Sequence, residues 1–118
     1  MPNEFHGIVV YEVKPDGCLN AIWTNDHAET GKEIFNEIAK KKGGGDKGCL
    51  EGSYASAWIE NDGHISTGLL AVAKGELVIK KEREVYIFIW KNESGDKEIY
   101  NGIGLRTGNT VSVAYWNC

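Results

Sequence analysis

From Cys49 to Trp116 the chain is an almost unbroken series of short β-branched and aromatic runs separated by turn-forming residues. The runs cover roughly 49–60, 64–74, 76–81, 84–92, 97–105 and 110–116. Between them lie Asn61-Asp62-Gly63, Lys74-Gly75, a charged corner at 81–83, Glu93-Ser94-Gly95-Asp96 and Thr107-Gly108-Asn109. Strands joined by links this short pair as antiparallel hairpins, because a parallel connection needs a dozen or more residues. Ahead of them, Phe5–Lys14 and Cys18–Thr24 flank the turn signal Pro15-Asp16-Gly17 and make a first hairpin. Composition agrees: 11 Ile and 8 Val outnumber 6 Leu and 1 Met, and side chains branched at Cβ suit a pleated strand better than a helix.

One segment reads differently. Thr30-Gly31-Lys32-Glu33 fits a capping box, Ile34, Phe35 and Ile38 form a narrow apolar stripe, Lys40, Lys41 and Lys42 suit a helix C-terminus, and Gly43-Gly44-Gly45 would stop the helix. The expectation is therefore one domain over 1–118, mainly β. Its fold is an antiparallel eight-stranded up-and-down, calycin-like barrel with one helix, 30–42, after the second strand. Closure removes edges that would otherwise template aggregation, and eight strands leave room for packed side chains or one small ligand.

A formal net charge of −4 is the wrong sign for neutralising phosphates, so no nucleic-acid partner is expected. No apolar run approaches a membrane helix, and no basic segment followed by an apolar stretch opens the chain. A cytoplasmic setting follows, in which Cys18, Cys49 and Cys118 stay reduced.

Tyr54-x-x-x-Trp58-x-x-x-x-Gly63 recurs as Tyr86-x-x-x-Trp90-x-x-x-x-Gly95, with shared hairpin geometry as the simplest cause. Alternation puts Tyr54, Ser56 and Trp58 on one strand face, as it does Tyr86, Phe88 and Trp90. The opposite faces carry Ala55, Ala57 and Ile59, and Val85, Ile87 and Ile89. One face is the barrel interior. The other is covered by the helix, by a second chain or by a mouth loop.

The four Trp belong to the set that carries any function: Trp23, Tyr54, Trp58, Tyr86, Phe88, Trp90, Tyr100 and Trp116. Such residues combine apolar area with a polar tip, and a pocket built from them needs only a few polar groups to orient a ligand. The candidate ligand-binding residues are Trp23, Tyr54, Ser56, Trp58, Tyr86, Phe88, Trp90 and Tyr100, with Asn101 as a further polar group and helix 30–42 as a lid. The competing reading is a filled barrel whose outer apolar face makes a homodimer.

Catalysis and metal binding find little to stand on. There is no G-x-S-x-G elbow, Glu82 and Glu84 sit in a mixed-charge corner, and no phosphate cradle or cofactor motif occurs. Asn25-Asp26-His27-Ala28-Glu29 brings three ligand types together, but no second cluster stands at a matching spacing, so a solvated loop explains it better. Gly102 and Gly104 share a face with Tyr100, where a missing side chain lets a neighbouring aromatic ring lie flat or lets the strand bend at a barrel corner.

Gly52-x-Tyr54, Tyr100-x-Gly102-x-Gly104 and the closing Val111-Ser112-Val113-Ala114-Tyr115-Trp116 together resemble small bacterial barrels of the lipocalin/avidin type, most of them uncharacterised. The resemblance implies a barrel that holds a small apolar molecule inside. The lipocalin Gly-x-Trp would fall at Gly7-Ile8-Val9, where Trp is missing, and an avidin-like pocket maps onto no residues here. Architecture alone carries over.

Overall fold

The computed structural model describes residues 6–26, 34–42, 49–61 and 70–118. Eight strands follow one another in the order β1 (His6–Val13), β2 (Leu19–Asn25), β3 (Phe35–Lys41), β4 (Gly52–Asn61), β5 (Leu70–Glu82), β6 (Val85–Asn92), β7 (Glu98–Thr107) and β8 (Thr110–Asn117). Each pairs antiparallel with its sequence neighbours, and β1 pairs with β8 to close the barrel. Among the described residues no helix is long and apolar enough to cross a membrane.

The barrel stands, but the helix expected over 30–42 does not. Ile34–Lys42 runs into β3, whose Phe35, Glu37 and Ala39 point inward while Asn36, Ile38 and Lys40 point out. The capping residues Thr30–Glu33 and the Gly43–Gly45 stop lie outside the described residues. The physical reason is pairing. β2 and β4 each need a partner on their free edge, and β3 supplies both, with Trp23 opposite Phe35 and Lys41 opposite Tyr54. A helix here would leave two rows of backbone donors and acceptors unpaired. Helical spacing of Ile34, Phe35 and Ile38 misled because the inward polar residue, Glu37, destroys the two-residue alternation that marks a strand.

The expected break at Lys74-Gly75 is also absent. β5 runs unbroken from Leu70 to Glu82, so the runs 64–74 and 76–81 are one strand as far as they are described. Gly75 serves close approach there and not a turn: a Cβ would collide with the Lys91 carbonyl and lie 3.1 Å from the Trp58 ring. The strand count of eight therefore survives two compensating errors. The first hairpin forms as expected: Gly17, at φ 87°, donates to the Lys14 carbonyl, and the Asp16 carboxylate accepts from the Cys18 N–H.

Inside and outside alternate along the strands, with a register shift between Trp90 and Lys91. β8 shows it best, with Val111, Val113 and Tyr115 buried between exposed Ser112, Ala114 and Trp116. The interior face of β4 and β6 is the aromatic one: Tyr54, Ser56, Trp58, Phe88 and Trp90 are buried. Of the opposite face, Ala55 is exposed and Ile87 and Ile89 are half-buried. At one end Leu50 folds in, its carbonyl accepting the Tyr54 hydroxyl at 2.7 Å, while the Lys41 ammonium donates to the Cys49 carbonyl. Leu50 closes that end.

Gly102 and Gly104 lie beneath rings, as their spacing suggested. A Cβ at Gly102 would stand 2.8 Å from the Ala114 carbonyl and 3.2 Å from Trp90; one at Gly104 would stand 2.8 Å from Phe88. Gly75→Ala and Gly102→Ala should each destabilise the fold by about 1–3 kcal/mol, since backbone carbonyls cannot move aside as side chains do. Gly104→Ala, facing a side chain, should lose less. Urea unfolding of the three variants checks the order.

Candidate functional site

The inward residues of β1, β3, β4 and β6 meet on one polar group. Glu37, only 5 % exposed, sits among rings and aliphatic side chains, with Ser56 at 3 % the other buried polar residue. The Tyr11 hydroxyl donates to Glu37 Oε1 at 2.9 Å, the Ser56 hydroxyl to Oε2 at 2.7 Å, and the Trp90 indole N–H to Oε2 at 3.2 Å. Among the described residues no buried side-chain nitrogen or oxygen lacks a partner.

Among the described residues no cation pairs with this carboxyl. Burial pushes its pKa above the ordinary glutamate range, and hydrogen bonds from Ser56, Tyr11 and Trp90 pull it partly back. The Tyr11 hydroxyl is pushed well up, first by burial and then by the neighbouring Glu37. Three neutral donors from three strands thus offset part of the cost of burying Glu37.

Rings continue from this polar centre toward the end opposite Leu50. Tyr11 stacks on Phe88 at 5.5 Å between centroids, and Phe88 on Trp90 at 5.7 Å. Trp90 meets Tyr100 edge-on at 6.4 Å and Tyr115 at 5.7 Å, and Trp58 meets Tyr100 edge-on at 6.3 Å. Tyr100 is half-buried. Tyr115 lies against Gly7, its hydroxyl accepting from Asn25 Nδ2 at 3.0 Å and donating to the Thr24 carbonyl at 3.3 Å. Gly7 lets that ring lie flat on the wall.

Trp58, Ser56, Phe88, Trp90 and Tyr100 therefore gather around or above Glu37. Trp23 lies to one side, packed on Phe35 at 5.1 Å with its N–H on the Asn36 carbonyl. Tyr54 belongs to the Leu50 end, where burial pushes its hydroxyl up to about 12. Tyr86 is half-buried under the Lys81 ammonium, which stands 5.9 Å from its ring centre. Trp116 faces out, and Asn101 bonds to Cys118 Sγ. Sequence reasoning missed Glu37, Tyr11 and Tyr115. The signal was present for Tyr11 and Tyr115, which follow the alternation of Val9 and Val113.

Among the described residues no group of three His, Cys, Asp or Glu side chains comes together. Asp26 is engaged with the start of β1, accepting from the His6 N–H at 2.8 Å, while His27 and Glu29 lie outside the described residues. What the arrangement can do chemically is accept hydrogen bonds at the base of an aromatic wall.

The raised pKa has a stability consequence. The fold favours protonated Glu37, so its contribution is greatest below the ordinary glutamate range and is lost as pH rises toward the folded pKa. Glu37→Gln keeps the shape without the charge. Urea unfolding from pH 4 to pH 8 should show the variant gaining on the parent as pH rises. Glu37→Ala orphans three buried donors and should cost about 3 kcal/mol or more at any pH.

No protein-family model matches this chain, and neither a curated protein nor a solved structure matches it.

Proposed function

We propose that this barrel binds a small apolar or aromatic molecule at the end opposite Leu50, against Trp58, Trp90, Tyr100 and Tyr115. The observation that carries the reading is Glu37: a buried carboxyl, held by three neutral donors, at the base of an aromatic wall. An apolar surface supplies affinity to such a ligand, and a single polar group beneath it supplies orientation. Its setting in this reading is the cytoplasm, where the three cysteines keep their thiols.

The mutual packing of Trp58, Trp90, Tyr100 and Tyr115 favours a ligand seated on the ring cluster over one enclosed at the barrel centre. Tyr100, half-buried and in edge contact with all three, is the ring that a ligand displaces or covers.

Titration with a dansylated fatty acid, followed by Trp emission, tests this. Saturable quenching is expected, weakened about tenfold by Tyr100→Ala, the loss of roughly one aromatic contact. Native mass spectrometry of freshly purified protein should show an added mass that denaturation removes. Unsaturable quenching and a bare mass together would remove ligand binding from consideration.

A further inference from the structure

Tyr100 is a half-buried ring set against three buried ones. Trp58, Trp90 and Tyr115 meet it at 74°, 83° and 83°, with ring centres 6.3, 6.4 and 5.9 Å from its own. None of them stacks on it. Four π systems, one each from β4, β6, β7 and β8, are thus gathered at one end of the barrel. Rings grouped at such distances are what an organic ammonium ion binds, because each carries a negative face and a cation is held within about 6 Å of the ring centre.

The charges that reach this cluster are negative. Glu37 lies at its base, accepting from the Trp90 indole N–H, and joins no ion pair among the described residues. Burial holds the Tyr115 hydroxyl above its ordinary range; Tyr100, Glu37 and Asp26 push it further up, against a hydrogen bond from Asn25 that pulls it down. Two carboxylates therefore act on one ring of the cluster. The rim continues the pattern: among the described residues the exposed Asp26, Glu93, Asp96 and Glu98 outnumber Lys91 and Lys97 at this end. At the Leu50 end the balance reverses, with Lys14, Lys41, Lys42, Lys81, Arg83 and Arg106 against Asp16, Glu51, Glu82 and Glu84.

We propose that the ligand of this site carries a positive charge: it is an organic ammonium ion on an apolar or aromatic body, its charge seated against Tyr100 and the rings packed on it. The inference rests on the ligand-binding reading above and adds the sign of the charge. A neutral molecule gains apolar contact alone, and an anion meets Glu37 and Asp26 as like charges. A cation gains the rings, the carboxyl and the rim together, and the acidic rim draws it to this end of the barrel. Glu37 keeps its three hydrogen-bond donors and acts through its field, which an apolar interior screens weakly. A cation nearby in turn favours the ionised carboxyl, against the burial that disfavours it.

Three probes on one dansyl-alkyl body test the sign at about pH 8: dansylcadaverine, its N-acetyl derivative and dansylaminohexanoate, which are cationic, neutral and anionic there. Affinity is read by energy transfer from Trp to dansyl at low salt. Dansylcadaverine should bind about tenfold more tightly than the neutral probe, and the anion more weakly still. Glu37→Gln should narrow the gap between the cationic and neutral probes to about threefold. Should that variant fail to fold, Asp26→Asn combined with Glu98→Gln, both exposed, reads the same narrowing. Neutral or anionic probes binding as tightly as dansylcadaverine would overturn the charge assignment and leave ligand binding standing. A cation preference untouched by these substitutions would overturn it as well. No saturable transfer from any of the three, together with unsaturable quenching by the dansylated fatty acid, removes the ligand-binding reading itself and this inference with it.

Discussion

The closed circle of backbone pairing depends on its least obvious member, β3. Its ladder to β2 runs only from Leu19 opposite Ala39 to Trp23 opposite Phe35, and its ladder to β4 from Glu37 opposite Trp58 to Lys41 opposite Tyr54. Without it the barrel would open into a curled sheet with two bare edges. The same strand brings the buried carboxyl. Glu37 ties β3 inward to β1 through Tyr11, to β4 through Ser56 and to β6 through Trp90, so strands that share no ladder with β3 are bound to it across the interior. A strand with short ladders is thereby held by a polar clasp.

That clasp is a compromise. A carboxyl in an apolar interior carries a desolvation penalty, and three neutral donors offset only part of it, which leaves the pKa raised. An apolar residue at position 37 would avoid the penalty but orphan Tyr11, Ser56 and Trp90. The arrangement is thus self-consistent as a set, and each member is hard to change alone. Removing a single donor should be milder than removing the acceptor on which all three converge.

The glycines explain how so many rings fit within eight strands. Gly7 lies beneath Tyr115, Gly75 beside Trp58, Gly102 beneath Trp90 and Gly104 beneath Phe88. Each removes a Cβ where a ring lies against the wall. Large side chains on some strands are matched by absent ones on others, which is how a narrow barrel reaches interior packing density without strain. The resulting aromatic layer leaves Tyr100 as its half-buried member, and the proposed ligand surface follows from that position.

What the chain determined by itself was the β-rich antiparallel barrel, its first hairpin and the grouping of the aromatic residues on one face of their strands. All of these are written in local alternation and turn chemistry that any neighbour would read alike. β3 could not be read locally, because Ile34, Phe35 and Ile38 fit a helix as well as they fit anything, and Glu37 interrupts the inward apolar pattern. Only the unsatisfied edges of β2 and β4 decide for a strand, and those exist only once the barrel does. The turn foreseen at Gly75 failed for a related reason: a glycine serves a turn or a close approach equally well, and the nearby Lys91 carbonyl and Trp58 ring belong to other strands. The polar centre is likewise a tertiary fact. Tyr11, Glu37, Ser56 and Trp90 are distant in sequence, and closure alone converges their side chains on one point.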